Sequence, residues 1–209
     1  MRFDMSGFSN PQEMWNKRFS TSDYLFGEEP NAFLVSQAAR LGHGHALALA
    51  DGEGRNSVWL AQQGFSVDAF DFSAHAIEKA KALADKHQVS VDFTCSAWQD
   101  FHWKPAHYDL VAGIFFQFAT PDERTKLFEQ IKQSLKSGGM LVIQGYGKNQ
   151  LTYKTGGPDK LEHLYDEGLL RQAFSGFDIQ VCETYETVLQ EGAGHSGMSA
   201  LVGFVARKP

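Results

Sequence analysis

The sequence predicts a single α/β domain over residues 1–209, with a doubly wound, Rossmann-like, mostly parallel sheet of seven strands and helices on both faces. Strand-like apolar runs alternate five times with helical patterns, which predicts parallel strands joined by right-handed crossovers. A glycine-rich turn follows the first apolar run, at the place where such sheets bind ligands. Two long strand-like runs end the chain, and the short segment between them, residues 190–197, makes the final pair an antiparallel hairpin.

The order of the elements follows from apolar spacing and from turn residues. Helices are predicted over 11–18 and 30–41, on either side of a polar-aromatic loop at 20–29, and residues 11–41 form an N-terminal helical cap. Strands are predicted at 46–50, 66–70, 91–95, 108–116 and 140–144, then at 177–189 and 199–206. Helices lie at 56–63, after Ser73, after Thr120 and over 159–174, while residues 148–158 form a lid loop. Ser73 is an N-cap, and Thr120, Pro121 and Glu123 start a helix with a capping box.

The composition favours a protein that binds a small molecule. Hydrophobic residues make up 43% of the chain and include 17 phenylalanines, enough for a core and a pocket wall. The net charge of −6 argues against a nucleic-acid partner, because phosphate contacts need a basic surface. The chain begins without an apolar signal segment and has no apolar run of about 20 residues, so we expect a cytoplasmic protein without a membrane partner.

The cysteines and histidines form no metal-binding pattern. The two cysteines lack the pair spacing of a zinc site. The pair His43 and His45 and the pair His102 and His107 have no acids or cysteines around them that would complete a ligand set. We therefore expect no metal.

The stretch from His45 to Asp71 predicts a nucleoside site. An apolar strand runs into a turn that contains Gly52 and Gly54, a helix and a second strand follow, and Asp71 ends that strand. Glycines let the backbone approach a ligand, and the helix N-terminus offers unpaired N–H groups. A carboxylate about 20 residues past the turn is placed to accept hydrogen bonds from both ribose hydroxyls. Either a dinucleotide or S-adenosylmethionine fits such a unit.

Two observations favour S-adenosylmethionine over a dinucleotide. The turn reads Gly52-Glu53-Gly54-Arg55-Asn56-Ser57, so the third glycine of the dinucleotide pattern is missing. The alternating five-strand unit followed by an antiparallel hairpin resembles the class I S-adenosylmethionine-dependent methyltransferases. GFSVDAFDFSAHAIEKAKALA looks like that family's second strand and next helix, and SLKSGGMLVIQGY looks like its turn into strand five.

The resemblance extends from about Trp15 to Lys208 and is strongest to one branch. WNKRFSTSDYLFGEEPNAFL and EGAGHSGMSALVGFVARK look like the small cytosolic methyltransferases related to tellurite-resistance and thiopurine enzymes. This branch implies a small-molecule acceptor, a thiol or a chalcogen oxyanion. It also implies that Trp15 and Arg18 close over the methionine end of the cofactor, with Arg55 as the rival partner of the methionine carboxylate.

The chain departs from the family at two acids. Ala48 stands where the family has the acid of its first loop, so Asp51 or Glu53 is expected to hold the methionine ammonium. Ser96 or Ala97 stands where an acid often reads the adenine, so backbone near Trp98 is expected to replace it. The predicted cofactor contacts are Arg18, Asp51, Gly52, Glu53, Gly54, Asp71, Phe72, Ala97, Trp98 and Phe115.

Aromatic faces and one histidine are the candidates for the chemistry. A sulfonium is attracted to aromatic rings, and Tyr24, Phe26, Phe115 and Tyr146 lie near the predicted strand ends and the aromatic loop. The predicted catalytic residues are Tyr24, Gln117, Tyr146 and His195, with His195 as a base or a group that steers substrate. A solvated loop histidine is the alternative for His195, and the lost acid at Ala48 leaves open a module that binds the cofactor without turnover. A nicotinamide-dependent oxidoreductase is the less favoured third interpretation.

Overall fold

The computed structural model describes residues 11–209, and it contains the predicted mixed sheet. The strands are β1 His45–Leu49, β2 Ser66–Asp71, β3 Val91–Cys95, β4 Tyr108–Ile114, β5 Leu135–Tyr146, β6 Asp178–Glu191 and β7 His195–Arg207. Their order in the sheet is β3-β2-β1-β4-β5-β7-β6, in which β7 is antiparallel to both of its neighbours and β1 to β5 are parallel. The predicted fold class is confirmed.

Eight α-helices flank this sheet within the described part of the chain. They are α1 Pro11–Phe19, α2 Ala32–Ser36, α3 Ala38–Leu41, α4 Arg55–Gln62, α5 Ala74–Lys86, α6 Pro121–Ser134, α7 Gln150–Tyr153 and α8 Glu167–Ala173. The predicted caps are present, because the Ser73 hydroxyl accepts a hydrogen bond from the Ala76 N–H and Thr120 forms a capping box with Glu123. No helix among residues 11–209 is both long and apolar enough to cross a membrane.

Several predicted elements differ from the structure. The connection predicted at 190–197 is shorter, because β6 continues to Glu191 and β7 begins at His195. Residues 30–41 form two short helices, since the Asn31 side chain caps α2 and the chain turns at Gln37. Strand β5 begins already at Leu135, which pairs with Tyr108, and an irregularity in the register carries it through the glycines that were expected to form a turn. The expected helix over 159–174 is a 3₁₀ turn at Leu161–His163 followed by α8, which Asp166 caps through the Leu169 N–H.

Alternate residues of the central strands supply two cores, one on each face of the sheet. On one face, Val111 packs with Phe128 of α6 and Phe174 after α8. On the other face, Leu110 packs with Phe33 of α2 and with Trp59 and Leu60 of α4. Strands buried on both faces are continuously apolar, which explains the runs that the sequence shows.

The carboxyl ends of the parallel strands are covered by α1, by the aromatic loop at 20–29 and by the tip of the β6–β7 hairpin. The loop and the tip meet backbone to backbone, since the Gly194 N–H donates to the Leu25 carbonyl at 2.9 Å. A methyl group built on Gly194 would clash with the Phe26 ring, and one on Gly192 would clash with the loop backbone. Glycines in the hairpin tip therefore allow the aromatic loop to close over the strand ends.

Candidate active site

The carboxylate of Asp71 lies against the glycine-rich turn that follows β1. Its Oδ2 accepts a hydrogen bond from the Gly52 N–H at 3.0 Å, and its Oδ1 accepts one from the Ser73 N–H at 2.9 Å. Asp71 is 4% exposed, and burial raises its pKa to about 6 although both donors favour the ionised form. A desolvated carboxylate at the end of a strand is typical of a functional site.

The two glycines of the turn do different things. Gly52 has a φ of +61°, and a methyl group built on it would lie 3.6 Å from the Phe19 ring of α1, which is an ordinary contact. Gly54 has a φ of +92°, and the same methyl group would lie 2.7 Å from Cβ of Ala80. Gly54 is therefore required by the packing of α5 against the turn, whereas Gly52 presents its N–H to Asp71.

Both acids proposed to hold the methionine ammonium have protein partners. Asp51 accepts a hydrogen bond from the Ser57 N–H at 3.3 Å in the first turn of α4, and desolvation raises its pKa to about 7. Glu53 is 3% exposed, pairs with Lys79 at 2.6 Å and accepts a hydrogen bond from the Leu25 N–H at 2.8 Å. Glu53 therefore ties the aromatic loop to α5.

The predicted adenine side lies at the ends of β2 and β3. The Ala97 carbonyl accepts hydrogen bonds from the Asp100 N–H at 3.1 Å and from the Phe101 N–H at 3.0 Å. Trp98 is half-buried against the main core, and its carbonyl accepts a hydrogen bond from the Trp103 indole at 2.9 Å. Phe72 is also half-buried, next to Asp71. These contacts fix the backbone near Trp98 at the edge of the site.

His195 lies at the centre of an aromatic cluster above the strand ends. Its ring centroid is 4.3 Å from that of Phe26, 4.2 Å from that of Phe115 and 5.6 Å from that of Tyr146. Phe115 follows the last residue of β4 and has a φ of +55°. Residues other than glycine rarely adopt this left-handed backbone conformation, and those that do are concentrated at functional sites. Trp15 and Phe19 of α1 extend the cluster through Phe26.

Glu191 links the cluster to the glycine-rich turn. Its Oε2 lies 2.8 Å from the Arg55 guanidinium and 3.3 Å from Nδ1 of His195, and its Oε1 accepts a hydrogen bond from the Asn31 amide at 2.9 Å. Burial alone would raise the pKa of Glu191, but His195 and Arg55 together lower it to about 2. Burial lowers the pKa of His195, which is 7% exposed, so the imidazole is mostly neutral at pH 7.

Tyr146, the last residue of β5, is 2% exposed. Its hydroxyl is buried and has no hydrogen-bond partner within residues 11–209, and burial raises its pKa. A methyl group built on Gly157 of the predicted lid would lie 2.5 Å from the Tyr146 ring, so the lid backbone covers this ring. The lid contains the short helix α7 and is held down by Gln150, whose side chain accepts a hydrogen bond from the Ala200 N–H.

The side chain of Gln117 is occupied by backbone groups. Its amide donates to the Tyr146 carbonyl at 2.9 Å and to the His163 carbonyl at 3.0 Å, while its oxygen accepts from the Tyr146 N–H. Both ends of the side chain are used, so the structure gives Gln117 the role of holding Tyr146 rather than of reacting with a ligand.

Tyr24 lies apart from the His195 cluster. Its hydroxyl donates to the Lys79 carbonyl at 3.1 Å, and its ring packs with Val58 and Leu83 of α4 and α5. Arg18 stacks over Trp15, with the guanidinium carbon 4.2 Å from the ring centroid, and interacts electrostatically with Tyr146. Arg18 is therefore placed on the aromatic side of the site, whereas Tyr24 fixes the aromatic loop to α5.

Sequence reasoning missed Glu191 and Asn31, which complete the site. Glu191 lies 136 positions from Arg55, and Asn31 lies 160 positions from Glu191. The acid four residues before His195 at a predicted hairpin tip was the one available signal, because residues near a tight hairpin turn come close together.

Comparisons with known proteins agree with this architecture. A family model described as a methyltransferase domain matches residues 46–139. The curated carboxy-S-adenosyl-L-methionine synthase of Shewanella loihica is 28% identical over 107 residues, which cover 50% of this chain and 41% of that protein. The chain thus spans about two fifths of the length of this relative.

Two solved structures show the same fold. TehB from Haemophilus influenzae superposes with a TM-score of 0.70 at 16% identity, covering 95% of this chain and 67% of TehB. The N-methyltransferase NodS from Bradyrhizobium japonicum, solved with S-adenosyl-L-homocysteine, superposes with a TM-score of 0.69 at 14% identity. The superposition covers 95% of this chain and 98% of NodS.

The sheet order, the antiparallel β7 and the turn facing Asp71 define a Rossmann-like methyltransferase fold. Residues 46–139 are similar to a methyltransferase domain, and this similarity supports the predicted resemblance to the class I S-adenosylmethionine-dependent methyltransferases.

Proposed function

We propose that the protein transfers a methyl group from S-adenosylmethionine to a small-molecule acceptor. The observation that carries this proposal is the buried Asp71 carboxylate, held 3.0 Å from the Gly52 N–H at the end of β2. An ionised carboxylate offers about four acceptor positions. The backbone N–H groups of Gly52, Ser73 and Phe72 all interact with the Asp71 carboxylate, which leaves it acceptor capacity for a ribose hydroxyl.

The other end of the site suits a sulfonium. Phe26, Phe115 and Tyr146 present aromatic faces around His195, and aromatic faces attract cations in sites closed to water. S-adenosylmethionine supplies a methyl group on a positively charged sulfur. The chain's own residues bind, orient and exclude water, which is most of what an in-line displacement needs.

The methionine end has one clear candidate contact. Arg18 lies on the aromatic side of the site, close enough to Tyr146 to affect its pKa, and a guanidinium binds a carboxylate bidentately. Arg55, the rival candidate, already pairs with Glu191 at 2.8 Å. We therefore assign the methionine carboxylate to Arg18.

Calorimetry with S-adenosylhomocysteine tests the proposal. The wild-type protein should bind one equivalent, and Asp71→Ala should weaken binding by about 1–3 kcal/mol, roughly 5- to 150-fold, through loss of a buried acceptor. Asp92 is an exposed carboxylate on the neighbouring strand β3, so Asp92→Ala is the matched control and should leave the affinity unchanged. A wild-type protein that gives no binding heat, or equal affinities for the Asp71 and Asp92 variants, would contradict the assignment.

A further inference from the structure

We propose that His195 is the general base of this site, that Glu191 is its positioning residue, and that the acceptor is a neutral molecule with a proton on the attacking atom. This inference rests on the proposed function, because it assigns the acceptor side of the same site. It selects a thiol-like or other protic acceptor over a chalcogen oxyanion.

The geometry fixes which nitrogen of His195 is available. Oε2 of Glu191 lies 3.3 Å from Nδ1, so the proton of the neutral imidazole is placed on Nδ1 and the lone pair on Nε2. The rings of Phe26, Phe115 and Tyr146 pack around the imidazole and restrict its rotation. A base whose tautomer and orientation are fixed by a carboxylate is the arrangement that proton abstraction needs.

Charged and titratable groups face His195 from four elements. They are Glu191 at the end of β6, Arg55 at the start of α4, Arg18 in α1 and Tyr146 at the end of β5. Desolvation and the two arginines lower the pKa of His195, and Glu191 raises it. The imidazole therefore enters the reaction in its neutral form, with Nε2 unprotonated, and Glu191 stabilises the imidazolium that forms.

The proton and the electrons balance in one displacement. The acceptor X–H passes its proton to Nε2 of His195 while X forms a bond to the transferred methyl carbon. The carbon–sulfur bond breaks, and its electron pair stays on the departing sulfur as a neutral thioether. The proton leaves the imidazolium for water once the products have gone.

The surroundings of Glu191 favour an uncharged acceptor. A cavity of about 330 Å³ opens beside Glu191, lined by neutral polar side chains from three elements and by apolar groups. The polar lining consists of Asn31, Ser36, Gln144, Tyr185 and Thr187. Glu191 is the one charged residue of this lining. Of the two cations that face His195, Arg55 pairs with Glu191 and Arg18 is assigned to the methionine carboxylate, so an oxyanion acceptor would have no cation of its own.

Nuclear magnetic resonance of nitrogen-15-labelled histidine in the ligand-free protein tests this assignment independently of cofactor binding. We expect one imidazole with its proton on Nδ1 and with a pKa below the ordinary value of a histidine, and its resonances should be missing from His195→Gln. In Glu191→Gln that pKa should fall further, by about 1, because the carboxylate no longer stabilises the imidazolium. Glu191→Asp should restore it in part, and His43→Gln is the matched control that leaves the resonance in place.

Three results would overturn the inference, two of them for the base and one for the acceptor class. A proton on Nε2 of His195, or a pKa of His195 that Glu191→Gln does not change, would remove His195 as the base even if S-adenosylhomocysteine binds normally.

A separate titration tests the acceptor class. Selenite, as the oxyanion probe, is added to the complex with S-adenosylhomocysteine and should leave the His195 resonances unchanged. A saturable shift with selenite would overturn the acceptor class. Failure of S-adenosylhomocysteine to bind the wild-type protein would instead remove the proposed function, so the two failures are distinguishable.

Discussion

At the scale of single residues, a glycine next to a candidate ligand site has two possible physical reasons. Gly54 was interpreted as a ligand contact because it belongs to the turn before Asp71. The structure shows that its missing Cβ lets α5 approach, since Ala80 would be 2.7 Å from an added methyl group. A glycine pattern in a sequence indicates close approach without telling which neighbour approaches.

Gly54→Ala should lower the free energy of unfolding by about 3 kcal/mol or more, because it adds a clash with Ala80 to the strain of a left-handed backbone. Gly64 offers a matched control, since its φ of +89° is nearly the same and nothing lies within 4 Å of its added methyl group. Gly64→Ala should cost only about 1–2 kcal/mol. Urea unfolding measures both, and equal losses would show that the approach of α5 is not the reason for Gly54.

At the scale of elements, the sequence predicts most of the helices and strands, but it does not predict some of the positions at which they begin and end. The apolar runs, the Ser73 cap and the Thr120 capping box determine local structure, and the structure contains all of them. The break within 30–41 depends on the Asn31 cap, and the early start of β5 depends on pairing with Tyr108. Such tertiary contacts override local propensity and leave no periodic signal.

The buried pair of Arg55 and Glu191 joins the start of α4 to the end of β6, with side chains only 7% and 11% exposed. Arg55→Met should cost about 3–5 kcal/mol, because it leaves Glu191 desolvated with fewer partners. Arg171 pairs with Glu167 within α8 on the surface, so Arg171→Met is the matched control and should cost less than about 0.5 kcal/mol. Chemical denaturation decides this, and a loss in Arg55→Met as small as in the control would rule out a structural role for the pair.

At the scale of the whole molecule, the site is assembled from residues that are far apart in the sequence. The proposed nucleoside half, around Gly52 and Asp71, lies within one β-α-β unit, and its spacing in the sequence is what predicts it. The acceptor half combines the aromatic loop, the end of β4 and the hairpin tip, and its central carboxylate, Glu191, was not predicted. Local patterns therefore predict the proposed nucleoside half, whereas the proposed acceptor half depends on how distant segments pack.

The buried carboxylate of Asp71 should make the stability of the whole fold depend on pH. Its pKa is about 6 in the folded state against an ordinary value of 3.8, so the folded state binds the proton more tightly than the unfolded state does. Its contribution is therefore fully present below about pH 4 and is lost as the pH rises through 6. We expect the free energy of unfolding of the wild type, relative to Asp71→Asn, to fall by about 3 kcal/mol between pH 4 and 7.

Urea titrations across this pH range measure that difference, and Asp92→Asn, which changes an exposed carboxylate, is the control variant. Saturating S-adenosylhomocysteine should reverse the trend, since ribose hydroxyls donate to the ionised carboxylate and so stabilise the wild type more at pH 7 than at pH 5. A wild-type difference that stays flat or rises with pH would mean that Asp71 is not desolvated. The ligand-free fold thus keeps a carboxylate that destabilises it near neutral pH, and a bound diol would relieve that destabilisation.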